Sequence, residues 1–219
     1  LESAGLGQFD ALSAPLLVTN QDAQAELTEP ANAEPFLETL RGSGLTGLTL
    51  MSGRLRRPIA ATAPLLGPKS WADRKFRALS PTQAQTVAAL GATPVARLLS
   101  MNAVLQGAFD SGDTDVATQS VEGETSAAPY VTSNVVLWPK VWVLVVGTTW
   151  FEGLDDQQRT WVREAAEAAR TASVKGDHDE TGKLLTLCEQ GARFPGATPA
   201  DLAAIQAKLE PVIAKLATD

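Results

Sequence analysis

One histidine, one cysteine, one tyrosine and two methionines in 219 residues leave little of the usual equipment of catalysis. The single cysteine, Cys188, excludes an internal disulfide and any metal site built on several thiolates. The single histidine, His178, lies in the polar run Gly176-Asp177-His178-Asp179-Glu180. That run reads as a helix start whose dipole favours acidic neighbours, and not as a metal or catalytic site. No P-loop, GxGxxG fingerprint or GxSxG elbow occurs. Asp110, Asp113 and Asp115 lack the spacing and closing glutamate of a calcium loop and are read as a solvated turn. No metal, no cofactor and no enzymatic activity are expected. Long apolar runs are also missing: Lys140 and Gly147 bracket the longest one, far short of the roughly 18 to 20 residues of a membrane span. Positive charge is in deficit, with 18 basic against 25 acidic residues and a net charge of −7. General attraction to nucleic acid or an anionic membrane is thereby excluded, and anions are left to local arginines.

What the chain does have is apolar patterning, at 44% hydrophobic residues. Val141 to Val146 is of strand length and almost wholly apolar, so both of its faces are expected to be covered. Asp155 with Gln158 three residues on forms a capping box, opening a long helix that carries Trp161, Val162, Ala165, Ala166 and Ala169 at helical spacing. Four of the five tryptophans fall between Trp138 and Trp161 and are expected mostly as packing. Earlier, a helix is predicted from about Asn20 to before Pro30. A second, over Pro35 to Arg41, is stopped by Gly42-Ser43-Gly44, and Leu45 to Leu50 follows as a strand. Arg54 to Pro68, with three prolines and the basic run Arg54-Leu55-Arg56-Arg57, reads as a solvated loop.

From Lys75 onward strands and helices alternate, as in a parallel sheet with crossover helices. Phe76 to Leu79 is the first strand, and Ser80-Pro81-Thr82-Gln83 starts a helix that ends at Leu90-Gly91. Thr93 to Leu98 is a strand, Ser100 to Asp110 a helix, and Val116 to Ser120 the closing strand. Leu184, Leu185 and Cys188 share one helical face, which makes Cys188 a small core residue. Thr198-Pro199-Ala200-Asp201 begins the last helix. Arg77 ends a strand immediately before a helix start, the crevice position where open α/β sheets bind ligands. Its guanidinium there serves either a ligand carboxylate or a local Asp or Glu.

A series of stretches resembles, in order, the solute-binding proteins of TRAP transporters, the DctP-type family. Gly7 to Leu17 is similar to the family's "vfdlPfLf" segment and Pro64 to Arg77 to "PiktpeDlkGlkiR". Leu90 to Val95 is similar to "lGa.Pv", Ala108 to Ala117 to "aLqtGvvDGa", and Leu144 to Ala169 to its long closing element. Asp73 and Val116 stand where the family has glycine.

The resemblance implies a two-lobed α/β periplasmic-binding-protein-like (type II) architecture, with mixed or parallel sheets flanked by helices and a hinge between the lobes. Residues 1–52 with 142–175 would form one lobe and residues 53–141 the other, with 176–219 packing across both. It implies capture of a small organic acid and delivery to membrane transporter subunits outside the cytoplasm, with no nucleic-acid partner. Arg77 matches the arginine that pairs with the ligand carboxylate. Arg56 and Arg57, near the "GfR" region, are further candidates, as are Thr118 and Gln119 after the "DGa" match. Asn134 and Trp138 join them by position on the crossing segment. The family opens with a strand-helix-strand-helix portion that has no counterpart here, so an incomplete first-lobe sheet with exposed apolar surface, or a partner covering it, is expected. Two other classes stay open: an enzyme using two facing cleft carboxylates, and an interaction module docking through Gly176 to Glu180 or Arg54 to Arg57.

Overall fold

The computed structural model describes residues 7–96, 101–176 and 180–218. A 3-10 turn over Gly7–Ser13 buries Phe9 and Leu12. Then come α1 (Gln21–Leu27), capped by the Asn20 side chain, and α2 (Pro30–Glu38). The second helix starts earlier than the expected Pro35, because Pro30 takes the first helical position, where a missing N–H costs nothing, and Pro35 is carried inside. Gly42 and Gly44 adopt φ of 86° and 81° and turn the chain into β1 (Leu45–Ala60).

β1 is the main departure from the sequence reading. The expected loop from Arg54 is strand as far as Ala60, giving 16 residues that span about 50 Å at strand rise. Pro58 is accommodated where its carbonyl accepts from the Thr132 amide and residues 111–114 pair alongside. Next are α3 (Pro68–Trp71), β2 (Lys75–Arg77), α4 (Pro81–Leu90) and β3 (Thr93–Val95). The Ser80 hydroxyl caps α4, and Gly91 closes it at φ 105°. A 3-10 turn, Met101–Gln106, stands in the region expected as helix; residues 97–100 lie outside the described residues.

β4 (Ser111–Thr114) precedes α5 (Val116–Glu122), so the closing strand sits earlier than expected and Val116 to Ser120 is helix. Asp115 caps that helix and Gly123 terminates it at φ 64°. After another 3-10 turn come β5 (Tyr130–Val131), β6 (Trp138–Gly147), α6 (Thr148–Glu152) and the capping-boxed α7 (Asp156–Lys175). The chain ends in α8 (Thr181–Glu189) and α9 (Pro199–Leu216), the latter opened by a Thr198–Asp201 capping box. Cys188 is exposed and Leu187 takes the buried face of α8, contrary to the expectation for that cysteine.

The sheet is mixed. β3, β2 and β4 are parallel neighbours, whereas β1 runs antiparallel to β4 and β5 at its end and to β6 along most of its length. The β1–β6 register shifts twice, between Gly47 and Thr49 and between Ser52 and Leu55. The larger core packs Trp71, Phe76, Leu90, Leu137, Trp138 and Ile205 between the β2–β4 side and α9. A separate core joins Phe9, Leu12, Leu40 and Leu50 to the Val141, Val143 and Val145 face of β6. β6 is not covered on both faces: Trp142 is 52% exposed, and Trp150 and Trp161 are also exposed rather than packed. Among the described residues β6 pairs with β1 alone.

Candidate functional site

Alternation along β1 sends adjacent arginines to opposite sides. Arg56 turns toward β4, donating from Nε to Asp113 Oδ2 at 2.7 Å, from Nη2 to the Asp113 carbonyl at 2.8 Å and from Nη1 to Asp115 Oδ2 at 3.2 Å. Arg57 turns the other way, donating to the Ser133 carbonyl and pairing with Glu180 at 2.9 Å. At the end of β2, Arg77 is only 7% exposed. Its Nη2 donates to the same Asp113 carbonyl at 3.0 Å and lies 4.0 Å from Oδ1, and its guanidinium is 6.0 Å from the Phe109 ring centroid. Trp138 Nε1 donates to Asp113 Oδ2 at 3.0 Å. Two arginines and an indole therefore converge on one aspartate.

Asp113 and Asp115 are buried, not a solvated turn. Burial alone pushes the Asp113 carboxyl up, but the charge and hydrogen bond of Arg56, the charge of Arg77 and the Trp138 indole outweigh it and hold the group below its ordinary range. Asp115 accepts from the Thr118 amide at 2.9 Å and from its hydroxyl at 2.8 Å, which fixes the first turn of α5. Gln119, on the same helix, is fully buried and donates to the Ala128 carbonyl at 3.4 Å. Asn134 lies elsewhere, exchanging hydrogen bonds with the main chain of Ala197 at 2.9 and 2.7 Å. Of the seven residues singled out from the sequence, Arg77, Arg56, Trp138 and Thr118 meet around Asp113 and Asp115. Gln119 packs behind them, and Arg57 and Asn134 tie other segments together. Asp113 and Asp115 both accept from Arg56, and Asp113, held below its ordinary range, is a poor proton donor near neutrality.

A cavity of about 450 Å³ opens beside this cluster, within the usual range for a small-molecule site. Its walls include Ser52, Arg54, Thr118, Lys140, Trp142 and Ser173, with Asp115 between it and Arg56; neither Arg77 nor Trp138 lines it. Lys140 Nζ stands 4.7 Å from the Trp142 ring centroid. Gly53 lets the strands cross closely here, since a Cβ on it would lie 2.3 Å from the Lys140 carbonyl oxygen. Sequence reasoning took Asp113 and Asp115 for a solvated turn, placed Arg54 in a solvated basic run and gave Lys140 no role at the site. The one available signal was matched alternation, Arg54 and Arg56 two apart on one strand against Asp113 and Asp115 two apart on another. Among the described residues no group of three or more His, Cys, Asp or Glu is placed to hold a metal ion. The lone His178 lies outside the described residues.

A mixed α/β sheet flanked by helices, with a cavity where its strands cross, is the architecture of the periplasmic binding proteins. Residues 5–219 match the profile of the bacterial extracellular solute-binding protein family 7, DctP, and the chain belongs to that family, the solute-binding proteins of TRAP transporters. A search of curated proteins found no significant match.

Solved structures share the fold. The periplasmic ectoine-binding protein of the TeaABC TRAP transporter of Halomonas elongata superposes with a TM-score of 0.86 at 18% identity, over 97% of this chain and 72% of that one. A TRAP periplasmic solute-binding protein from Bradyrhizobium sp., in complex with D-galacturonate, gives 0.86 at 21% identity, over 98% and 72%. One from Ralstonia eutropha with bound (S)-2-acetolactate gives 0.83 at 20% identity, over 96% and 70%. Family members are periplasmic and work with membrane transporter components. Among the described residues no helix is long and apolar enough to cross a membrane.

Proposed function

We propose that the chain captures a small carboxylate-bearing solute in the cavity beside the Arg56–Asp113–Arg77 cluster and delivers it, outside the cytoplasm, to TRAP transporter subunits. The observation that carries this reading is a cation-bearing cavity of about 450 Å³ at the strand crossing of a family 7 receptor fold. Relatives bound to galacturonate and acetolactate, both carboxylates, support the solute class. Thr118 is the proposed solute contact among the residues taken from the sequence, and Arg56, Arg77, Trp138 and Gln119 order the wall behind it. Residues 1–52 with 142–175 act as one lobe and 53–141 as the other; the register shift in β1 between Ser52 and Leu55 supports a boundary there. Closure then follows by population shift, because a solute touching both lobes favours only the closed form.

Thermal unfolding against D-galacturonate, 2-acetolactate and ectoine tests the reading. An acid at a hundredfold excess over its Kd adds about 2.7 kcal/mol, or about 5 to 10 °C in Tm for a chain of this size. A flat response to every carboxylate in a wide panel refutes it.

A further inference from the structure

We propose that Ser173 is a positioning residue for solute capture: its hydroxyl pins the Ser52 amide of β1 to α7, so that lobe rotation is confined to the bulge that Gly53 and Arg54 form in the wall of the solute cavity. This rests on the solute-binding reading and the lobe division above, and it names the joint about which the cavity closes.

The strand register locates the joint. Ser52 pairs with Val141 and Leu55 with Pro139, so two residues of β1, Gly53 and Arg54, oppose the single Lys140 of β6. Two residues against one is a β-bulge, which interrupts the ladder, bends the strand and re-aims a side chain. All three residues line the cavity. The break in the ladder and the solute wall are therefore the same place.

A side chain keeps that break from spreading into the first lobe. β4 pairs with β1 only from Arg57 onward, and the Ser52 amide is donated at 2.9 Å to Ser173 Oγ instead of to a strand. Ser52 is 7% exposed, so removal of the hydroxyl would leave a buried donor without its acceptor. The Ser173 hydroxyl itself donates to the Arg170 carbonyl at 2.7 Å, which orients its oxygen and leaves lone pairs for the amide and for a donor in the cavity, whose wall it shares.

Arg170 carries the restraint further. Its guanidinium donates to Glu167 on α7 and, at 3.0 Å, to Glu29, the residue that caps α2. The end of α7, Ser52 and the start of α2 are thus tied into one body, and the bulge is the first joint of β1 beyond it. A solute in the cavity touches that joint directly, so capture and closure are coupled by contact and need no relay through the sheet.

Hydrogen exchange, calorimetry and small-angle scattering on the wild type, Ser173→Ala and Ser173→Thr test the pin. Alanine suits a helix, so the first variant is expected to fold, and threonine keeps the hydroxyl. In solute-free Ser173→Ala the Ser52 amide should exchange about tenfold faster or more, with the Leu50 amide changed by less than about twofold. D-galacturonate should bind about five- to tenfold more weakly, since its binding must now also order the joint, and the saturated variant should keep a larger radius of gyration than the saturated wild type. Ser173→Thr should restore all three. Unchanged Ser52 exchange in Ser173→Ala overturns the pin. Weaker binding with a wild-type radius at saturation makes Ser173 a solute contact only and overturns the joint. If another carboxylate of the panel binds and galacturonate does not, it takes galacturonate's place and the same outcomes decide. Failure of every carboxylate to bind the wild type overturns acid capture, and the Ser52 exchange then decides the pin alone.

Discussion

Asp113 carries more of the site than any other residue. Removing it strands two buried guanidinium groups, so Asp113→Ala is expected to cost about 3 to 5 kcal/mol in urea denaturation, with Asp113→Asn costing less because an amide still offers an acceptor to Trp138. The pH dependence has a definite sign. Its folded carboxyl titrates below an ordinary aspartate, so its stabilisation is fully present above about pH 3.9 and is lost as the pH falls through the depressed value. The stability gap between wild type and Asp113→Asn should hold constant near neutrality and close in acid. A gap that instead widens on acidification contradicts the assignment. This cluster was hardly legible in the sequence. Arg56 and Asp113 are 57 residues apart, and nothing in either stretch alone distinguishes a buried ion pair from a solvated arginine run and a solvated acidic turn.

At the scale of elements, legibility followed how local the cause was. The caps at Ser80 and Asp155 and the helix starts near Asn20 and at Thr198 are written within four residues and came out as read, as did the Gly91 stop of α4. The strand expected over Val116 to Ser120 failed because Asp115 and Gly123, a cap and a left-handed stop, bracket a segment whose composition alone suggests a strand, and it folds as α5. β1 failed for a different reason: neighbours on both sides stabilise a proline-bearing, arginine-bearing segment that has no strand signal of its own. The crossing of β1 and β6 depends on Gly53. In Gly53→Ala the new methyl meets backbone, not a movable side chain, so a loss of about 1 to 3 kcal/mol is expected. Because the displaced atom is the Lys140 carbonyl oxygen, the same variant should weaken solute binding. Unchanged urea midpoint and affinity would show that the strands part there without cost.

For the molecule as a whole, the fold class was legible because a family's ordered series of short motifs survives where no single motif is decisive. The solute-facing wall was not legible, since Ser52, Thr118, Lys140 and Ser173 come from four elements and meet only after folding. If the strand crossing works as a hinge, a saturating acid that binds should lower the radius of gyration measured by small-angle scattering, and Thr118→Ala should need more of that acid to do so. An acid that binds without compaction would describe a rigid receptor.

Arg56 and Arg57 also bear on how β1 finds its alignment. Slipping the strand by one residue exchanges the two side chains between faces. The slip that brings Arg57 to Asp113 and Asp115 carries Arg56 into the place of Leu55, and the opposite slip brings Arg56 to Glu180 and carries Arg57 into the place of Pro58, so either slip keeps one of the two arginine pairings. What distinguishes the native alignment is Leu55 and Ile59, buried on β1 and unable to trade places with arginine. In this strand charge tolerates the error and hydrophobicity forbids it, so a polar substitution at Leu55 or Ile59 threatens registry before it threatens any ion pair.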